Sequence, residues 1–180
     1  AITVKDKPFT VNKRALRSLC SQVISHVEKG GKVVVVHGGG SFGHPLATRY
    51  KLNVGLTNEG FVGVALTRLA MRKLNEKVVR EFIKLGGRPY VIEPSSSFVL
   101  EEGVIKECLL KSVEAALNKG FTPILHGDVV LDEGQRGVSI LSGDTIASFL
   151  ALKLKADKLV YVLDVDGIYL EDPRKSPSAK

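Results

Sequence analysis

The sequence is poor in features that mark several protein classes, and each shortage removes one of them. No apolar run in the 180 residues approaches the roughly 18 to 20 needed for a membrane span, and the opening residues hold no signal-peptide hydrophobic segment. A cytoplasmic chain without membrane contact is expected. The only cysteines, Cys20 and Cys108, lack C-x-x-C or Cys/His metal spacing and sit in apolar helical patterns, so reduced core residues are expected, with neither disulfide nor zinc. Aromatic residues make up 6%, and the lysines and arginines behind the net charge of +7 are scattered rather than striped. Nucleic-acid binding wants a basic face with stacking aromatics, so small phosphorylated ligands fit this charge better, while most of the lysines read as a solvated surface. There is no G-x-x-x-x-G-K-S/T run and hence no P-loop, and no nucleophile elbow or Ser/His/Asp order.

What remains is ordinary for one α/β domain with a sizeable core: 44% hydrophobic and 25% charged residues. The chain is organised around residues 33–45. Four β-branched residues, Val33 to Val36, read as a strand buried on both faces, and Gly38, Gly39 and Gly40 let backbone come close to whatever sits at its end. Pro45 favours a first helical position, so the loop is expected to empty at His44 and Pro45 into a helix N-terminus suited to an anion. The pattern reads as a phosphate cradle with a histidine on its rim. The same letters, Gly38, Gly40 and Gly43, also satisfy the G-x-G-x-x-G spacing of dinucleotide folds. That fold wants an acidic residue about 20 residues on, at the end of a second strand. Here the position falls in a helix, and the next strand-like run, 90–93, comes too late. A glycine turn that merely packs helix on strand, with His44 an ordinary loop histidine, is the plain alternative.

Asn12 caps a predicted helix with apolar positions Leu16, Leu19, Cys20, Val23, Ile24 and Val27, stopped by Gly30 and Gly31. Thr57 starts a long helix to about Leu85 whose first half, through Phe61, Val62, Val64, Ala65 and Leu66, is apolar almost all round. That half is expected to be covered on more than one side, by core, by a second subunit or by an apolar substrate; Gly63 and Ala65 leave room for a ligand or for close helix packing. There follow a strand at 89–93, a loop at 94–97, a helix at 105–118 and a strand at 122–126. A surface hairpin around 132–137, a Ser142-capped helix to about Leu154 and a strand at 158–163 complete the pattern. Alternating strands and helices predict an αβα sandwich with a mostly parallel central sheet.

Ligands of such sheets collect beyond the carboxyl ends of the strands. Two of these ends, the cradle and Ser142-Gly143, offer helix N-termini, enough for a donor and an acceptor phosphate. Asp144 beside them suits a cation, either a lysine or Mg2+, or else it is a plain helix-start acid. The end at His126-Gly127-Asp128 is also chemically unusual, and Asp164 and Asp166 before Gly167 are either site residues or turn residues.

Residues 37–45, reading His-Gly-Gly-Gly-Ser-Phe-Gly-His-Pro, resemble the isopentenyl phosphate kinases of the amino acid kinase superfamily. So do Gly127-Asp128-Val129-Val130-Leu131-Asp132, Ser142-Gly143-Asp144 and Asp164-Val165-Asp166-Gly167-Ile168-Tyr169. The resemblance implies ATP and Mg2+, a homodimer, and transfer of the γ-phosphoryl group to isopentenyl phosphate, giving isopentenyl diphosphate. It places the acceptor-gripping histidine at His44 and backbone contacts to the two phosphates at Gly38, Gly39 and Gly43. Gly143 would contact the acceptor, Lys5 would lie near the transferring phosphate, Asp144 would organise catalytic lysines, and Asp164 would touch the nucleotide. The helix after Thr57 would wall the isoprenoid pocket. The family opens with a strand bearing Lys and then Gly-Gly-Ser, and carries a later Gly-Gly-Met segment and lysine. Residues 1–180 are therefore expected to be a single kinase domain lacking its first strand and its C-terminal nucleotide-binding part, and a poor catalyst as it stands. Other members of the superfamily, acting on uridylate, acetylglutamate or fosfomycin, and a non-catalytic phosphate-binding domain remain the alternatives.

Overall fold

The computed structural model describes residues 2–4 and 6–163. Its frame is a parallel sheet ordered β1-β5-β2, formed by β1 (Val35–His37), β5 (Thr122–His126) and β2 (Pro89–Val91). The central strand β5 is buried throughout, and its side chains alternate between two cores. Ile124 packs with Leu16, Cys20 and Ile24 of α1 (Lys13–Glu28) and with Val78 and Phe82 of α3 (Gly60–Lys84). Leu125 faces the other way, onto Val113 of α5 (Leu110–Asn118) and onto Ile146 and Leu150 of α6 (Gly143–Lys153). Helices thus cover both faces, as the sandwich reading expects.

Local chemistry explains most element starts. Asn12 accepts the Ala15 N–H at 3.1 Å, Thr57 Oγ1 accepts the Gly60 N–H at 3.1 Å, and Ser142 Oγ accepts the Thr145 N–H at 3.0 Å. Several expectations are corrected. The first strand runs over Val35–His37 rather than 33–36. From the bond that Gly127 N–H donates to His37 O, the ladder steps back two residues at a time until Pro123, which has no N–H, stands opposite the Val33 carbonyl. The helix that follows, α2 (Gly40–Arg49), begins five residues before Pro45. Pro45 sits inside it at low cost because the carbonyl it leaves without a helical donor, that of Ser41, takes the Phe9 N–H at 3.1 Å.

The expected helix at 105–118 is a strand followed by a shorter helix. β3 (Phe98–Glu101) and β4 (Val104–Cys108) form an antiparallel hairpin turned by Glu102 (φ 49) and Gly103 (φ 81), a tight two-residue turn with both central residues left-handed. Cys108 therefore closes a strand and is half-buried, whereas Cys20 is buried in α1; both thiols are free, and burial pushes each up to about 11. Residues 94–97 form a single helical turn, α4 (Pro94–Ser97), rather than a loop. Residues 158–163 form no strand: a β-branched run needs a neighbour's edge for its N–H and C=O groups, and among the described residues these pair with none.

The hairpin of β6 (Asp128–Leu131) and β7 (Val138–Leu141) forms as read, but its loop is anchored inward. Asp132 is buried and accepts the N–H groups of Glu102 (2.9 Å), Gly103 (2.8 Å) and Gly134 (2.9 Å) and the Ser139 hydroxyl (2.5 Å), tying the two hairpins together. Burial opposes its charge, but the Ser139 hydroxyl and the three N–H donors outweigh it and hold the carboxyl below its ordinary range. Because the folded value is depressed, the stabilisation is present above the unfolded value and is lost as pH falls through the folded one. Asp132→Ala is expected to cost about 2–4 kcal/mol, since it leaves the buried Ser139 hydroxyl and three part-buried N–H groups without their acceptor. Urea melts at pH 7 and pH 3 check this: the penalty shrinks at the lower pH, and an equal penalty at both contradicts it.

Candidate functional site

The cradle is built from backbone that side chains would obstruct. β1 ends at His37, Gly39 is helical (φ −74, ψ −32), and Gly40 turns left-handed (φ +46) as the first residue of α2. Successive right- and left-handed residues aim their N–H groups into one concavity, an anion nest. Among the described residues the N–H groups of Gly38, Gly39 and Gly40 have no hydrogen-bond partner. The next ones are engaged: Ser41 N–H with Thr3 Oγ1 at 3.2 Å, and Phe42 and Gly43 N–H with Gly39 O at 3.0 Å each. Gly40 is required twice over, by its φ and because a Cβ there would run into the Thr3 side chain.

Three strand ends converge on this loop. A Cβ on Gly143, the first residue of α6, would lie 3.1 Å from His37 O and 3.4 Å from Gly38 N; one on Gly127 would lie 3.0 Å from Gly143 N. The N-termini of α2 and α6 therefore open at one mouth, as the sequence reading required of a two-phosphate site. His44 is exposed on α2, and its ring lies beside Gly39, with Cδ2 3.2 Å from where a Gly39 Cβ would be. Gly43 has its N–H bound inside α2 and leaves room for Met71, whose Sδ would be 2.7 Å from a Cβ. Asp144 is exposed in the first turn of α6, beside Gly143. Lys5 and Asp164 lie outside the described residues.

Behind the cradle lies a buried polar network that the sequence reading resolved only in part, through His126 and Asp128. His37 and His126 have their ring centroids 5.4 Å apart. Burial, followed by the charge of His126, pushes His37 down to about 4. Burial works against the charge of His126 too, but Glu93, the Gly127 carbonyl and Asp128 outweigh it and raise its value. His126 Nε2 stands 3.3 Å from Glu93 Oε2, an ion pair whose geometry falls short of a hydrogen bond. The same contact lowers Glu93, while burial raises Asp128. Glu93, His126 and Asp128 bring three donor atoms within 4.8 Å of one another, as a metal site would. Arg72 Nε, 3.7 Å from Glu93, and Arg68 Nε, 3.9 Å from Asp128, already compensate both carboxylates. An oxygen-preferring cation such as Mg2+ does not fit a group holding an imidazole and two guanidiniums. The missed member Asn75, which meets His37 Nε2, was detectable as a polar residue in the largely apolar buried stripe of α3.

The apolar first half of α3 differs from expectation. Phe61, Val62, Leu66 and Leu69 are exposed in the single chain, so that half is covered on one side only. Gly63 serves packing, since a Cβ there would collide with Tyr50. Ala65 is exposed. A cleft of about 430 Å³ lined by Phe9, Phe42, Lys73, Glu76, Lys77 and Arg80 includes none of the cradle glycines and not His44, so it is the free N–H groups, not volume, that mark the site.

The amino acid kinase family model matches residues 6–180. The isopentenyl phosphate kinase of Thermoplasma acidophilum is 34% identical over 99% of this chain and 69% of its own length. That of Methanothermobacter thermautotrophicus is 33% identical over 82% of the chain, and the match spans 58% of the relative. A solved isopentenyl phosphate kinase superposes with a TM-score of 0.89 at 31% identity, over 99% of this chain and 74% of the other. By family model, relatives and superposition, the chain belongs to the amino acid kinase family, on the branch that holds the isopentenyl phosphate kinases.

Proposed function

We propose that the protein transfers the γ-phosphoryl group of ATP to isopentenyl phosphate, giving isopentenyl diphosphate and ADP. The observation that carries this reading is the nest of N–H groups at Gly38, Gly39 and Gly40, without partners among the described residues, with the His44 ring beside Gly39. An oxygen of the acceptor phosphate attacks the γ-phosphorus in line while the bond to the ADP oxygen breaks. The acceptor is its own nucleophile: its second ionisation lies near pH 6 by analogy with other phosphoesters, so no general base is needed at neutral pH.

The protein's share is positioning and charge. His44 grips the acceptor phosphate, Gly38 and Gly39 contribute N–H donors, and Gly143 brings the α6 N-terminus to the acceptor; Gly43 backs the loop. Lys5 acts at the transferring phosphate and Asp164 at the nucleotide. Mg2+ supplies positive charge to the phosphates, and among the described residues the exposed carboxylate of Asp144 suits such a cation or a catalytic lysine. The exposed Phe61, Val62, Leu66 and Leu69 supply apolar surface for the isoprenoid tail or for a second copy in a homodimer. Among the described residues no helix is long and apolar enough to cross a membrane, and a cytoplasmic location belongs to the same proposal.

Phosphorylation assays on the full-length protein against isopentenyl phosphate, uridylate, acetylglutamate and fosfomycin test the assignment. Turnover of the first is expected; preference for another, or nucleotide binding without turnover, overturns it. His44→Ala should raise the acceptor KM by at least tenfold while the ATP KM changes less than threefold; equal losses refute the role given to His44. Gly40→Ala is expected to cost about 1–3 kcal/mol of stability through its left-handed backbone and to weaken acceptor binding further. Thermal melts and acceptor KM measured side by side check this, and an unchanged KM argues against the nest.

A further inference from the structure

We propose that His37, held by Asn75, is a positioning residue of the cradle: its ring fixes the Gly38 carbonyl and thereby aims the Gly39 N–H at the acceptor phosphate. The inference deepens the reading above and rests on it. His37 Nδ1 stands 3.2 Å from Gly38 O, and Nε2 stands 3.1 Å from Asn75 Oδ1. A carbonyl can only accept, so Nδ1 must carry the proton and donate it. In a trans peptide the C=O of Gly38 and the N–H of Gly39 point in opposite directions. Holding the carbonyl against the buried ring therefore turns the N–H away from the interior, where it finds no partner among the described residues.

Two glycines in succession need such a constraint. Gly38 has open space where a side chain would be, so no Cβ contact there holds the peptide between Gly38 and Gly39 in one orientation. The turned-over peptide would present a carbonyl to the anion. His37 removes that alternative by one hydrogen bond, and Asn75, reaching across from α3, stops the ring from rotating. The groups around the ring favour a single proton: it is buried, and charged His126 of β5 faces it at 5.4 Å between centroids. With that proton on Nδ1, Nε2 accepts, and Asn75 meets it through its amide nitrogen after a half-turn of the amide, whose oxygen and nitrogen have the same outline.

Substitutions at His37 separate this role from packing. Asn at position 37 can place an amide N–H near where Nδ1 stood; Leu fills similar space with no donor. In the full-length protein, His37→Leu is expected to raise the isopentenyl phosphate KM at least tenfold with the ATP KM within twofold, and His37→Asn to restore the acceptor KM to within about threefold of wild type. Leu tolerated as well as Asn, or both KM values raised together, overturns the proposal. Ring nitrogen NMR of the wild-type chain should find Nδ1 protonated and Nε2 bare from pH 6 to 8; the opposite tautomer overturns it as well. Titration with inorganic phosphate, followed at the Gly39 and Gly40 amides, isolates the cradle from the choice of acceptor. If wild type shifts and His37→Leu binds at least tenfold more weakly, the positioning role stands even where isopentenyl phosphate is not turned over; equal affinities defeat it.

Discussion

The structure depends on three strand ends coming closer than side chains allow. Gly38, Gly127 and Gly143 meet so tightly that a Cβ on Gly127 or Gly143 would stand 3.0–3.1 Å from a neighbour's backbone atom. That contact brings the start of α6 beside the end of β1, so two sets of helix-terminal N–H groups share one mouth. Neither helix alone would do more than attract an anion; under the proposed reaction, the two set together define where donor and acceptor phosphates meet. The period-two alternation of Ile124 and Leu125 serves the same end, because a helical layer clamped on each face holds β5, and with it Gly127, in register.

The paired histidines show how burial and charge divide labour behind the cradle. Two imidazoles at this distance cannot both be charged cheaply, and the surroundings choose between them. Glu93 and Asp128 stand on the His126 side, while His37 has Asn75 and a carbonyl. The surroundings therefore favour the charge on His126, inside an ion network that includes Arg68 and Arg72, and keep His37 the neutral donor to the loop. Buried ion networks are weak evidence of stability, but they resist rearrangement, since removing one member leaves another charge uncompensated.

Much of this was legible in the sequence, and the failures have particular causes. Asn12, Thr57 and Ser142 announced their helices because capping is local chemistry. The cradle was legible because consecutive glycines after a β-branched run have few other uses. Val104–Cys108 was absorbed into a helix because its apolar residues run on into those of α5, although Glu102-Gly103 between two apolar runs was the hairpin signal. Pro45 misplaced the start of α2 because its effect depends on whether the carbonyl it strands finds a donor, and Phe9 is far away in sequence. The left-handed turn at Gly40 and the role of Asn75 were not legible for the same reason: the positive φ of one and the partner of the other exist only after folding.

Geometry also limits what these residues accomplish alone. Peptide N–H groups and one exposed imidazole can orient a phosphate, but they bring little net charge, and transfer between two phosphates must offset several negative charges gathered at one point. The cations beside Glu93 and Asp128, namely Arg68, Arg72 and His126, of which only His126 is buried, are already committed to those two carboxylates. The cradle is therefore a device of direction rather than of neutralisation. Under the proposed reaction, neutralising charge must come from flexible cations and from a metal carried by the nucleotide. Under the same proposal, the exposed Asp144 in the first turn of α6 serves to gather such cations rather than to touch a phosphate.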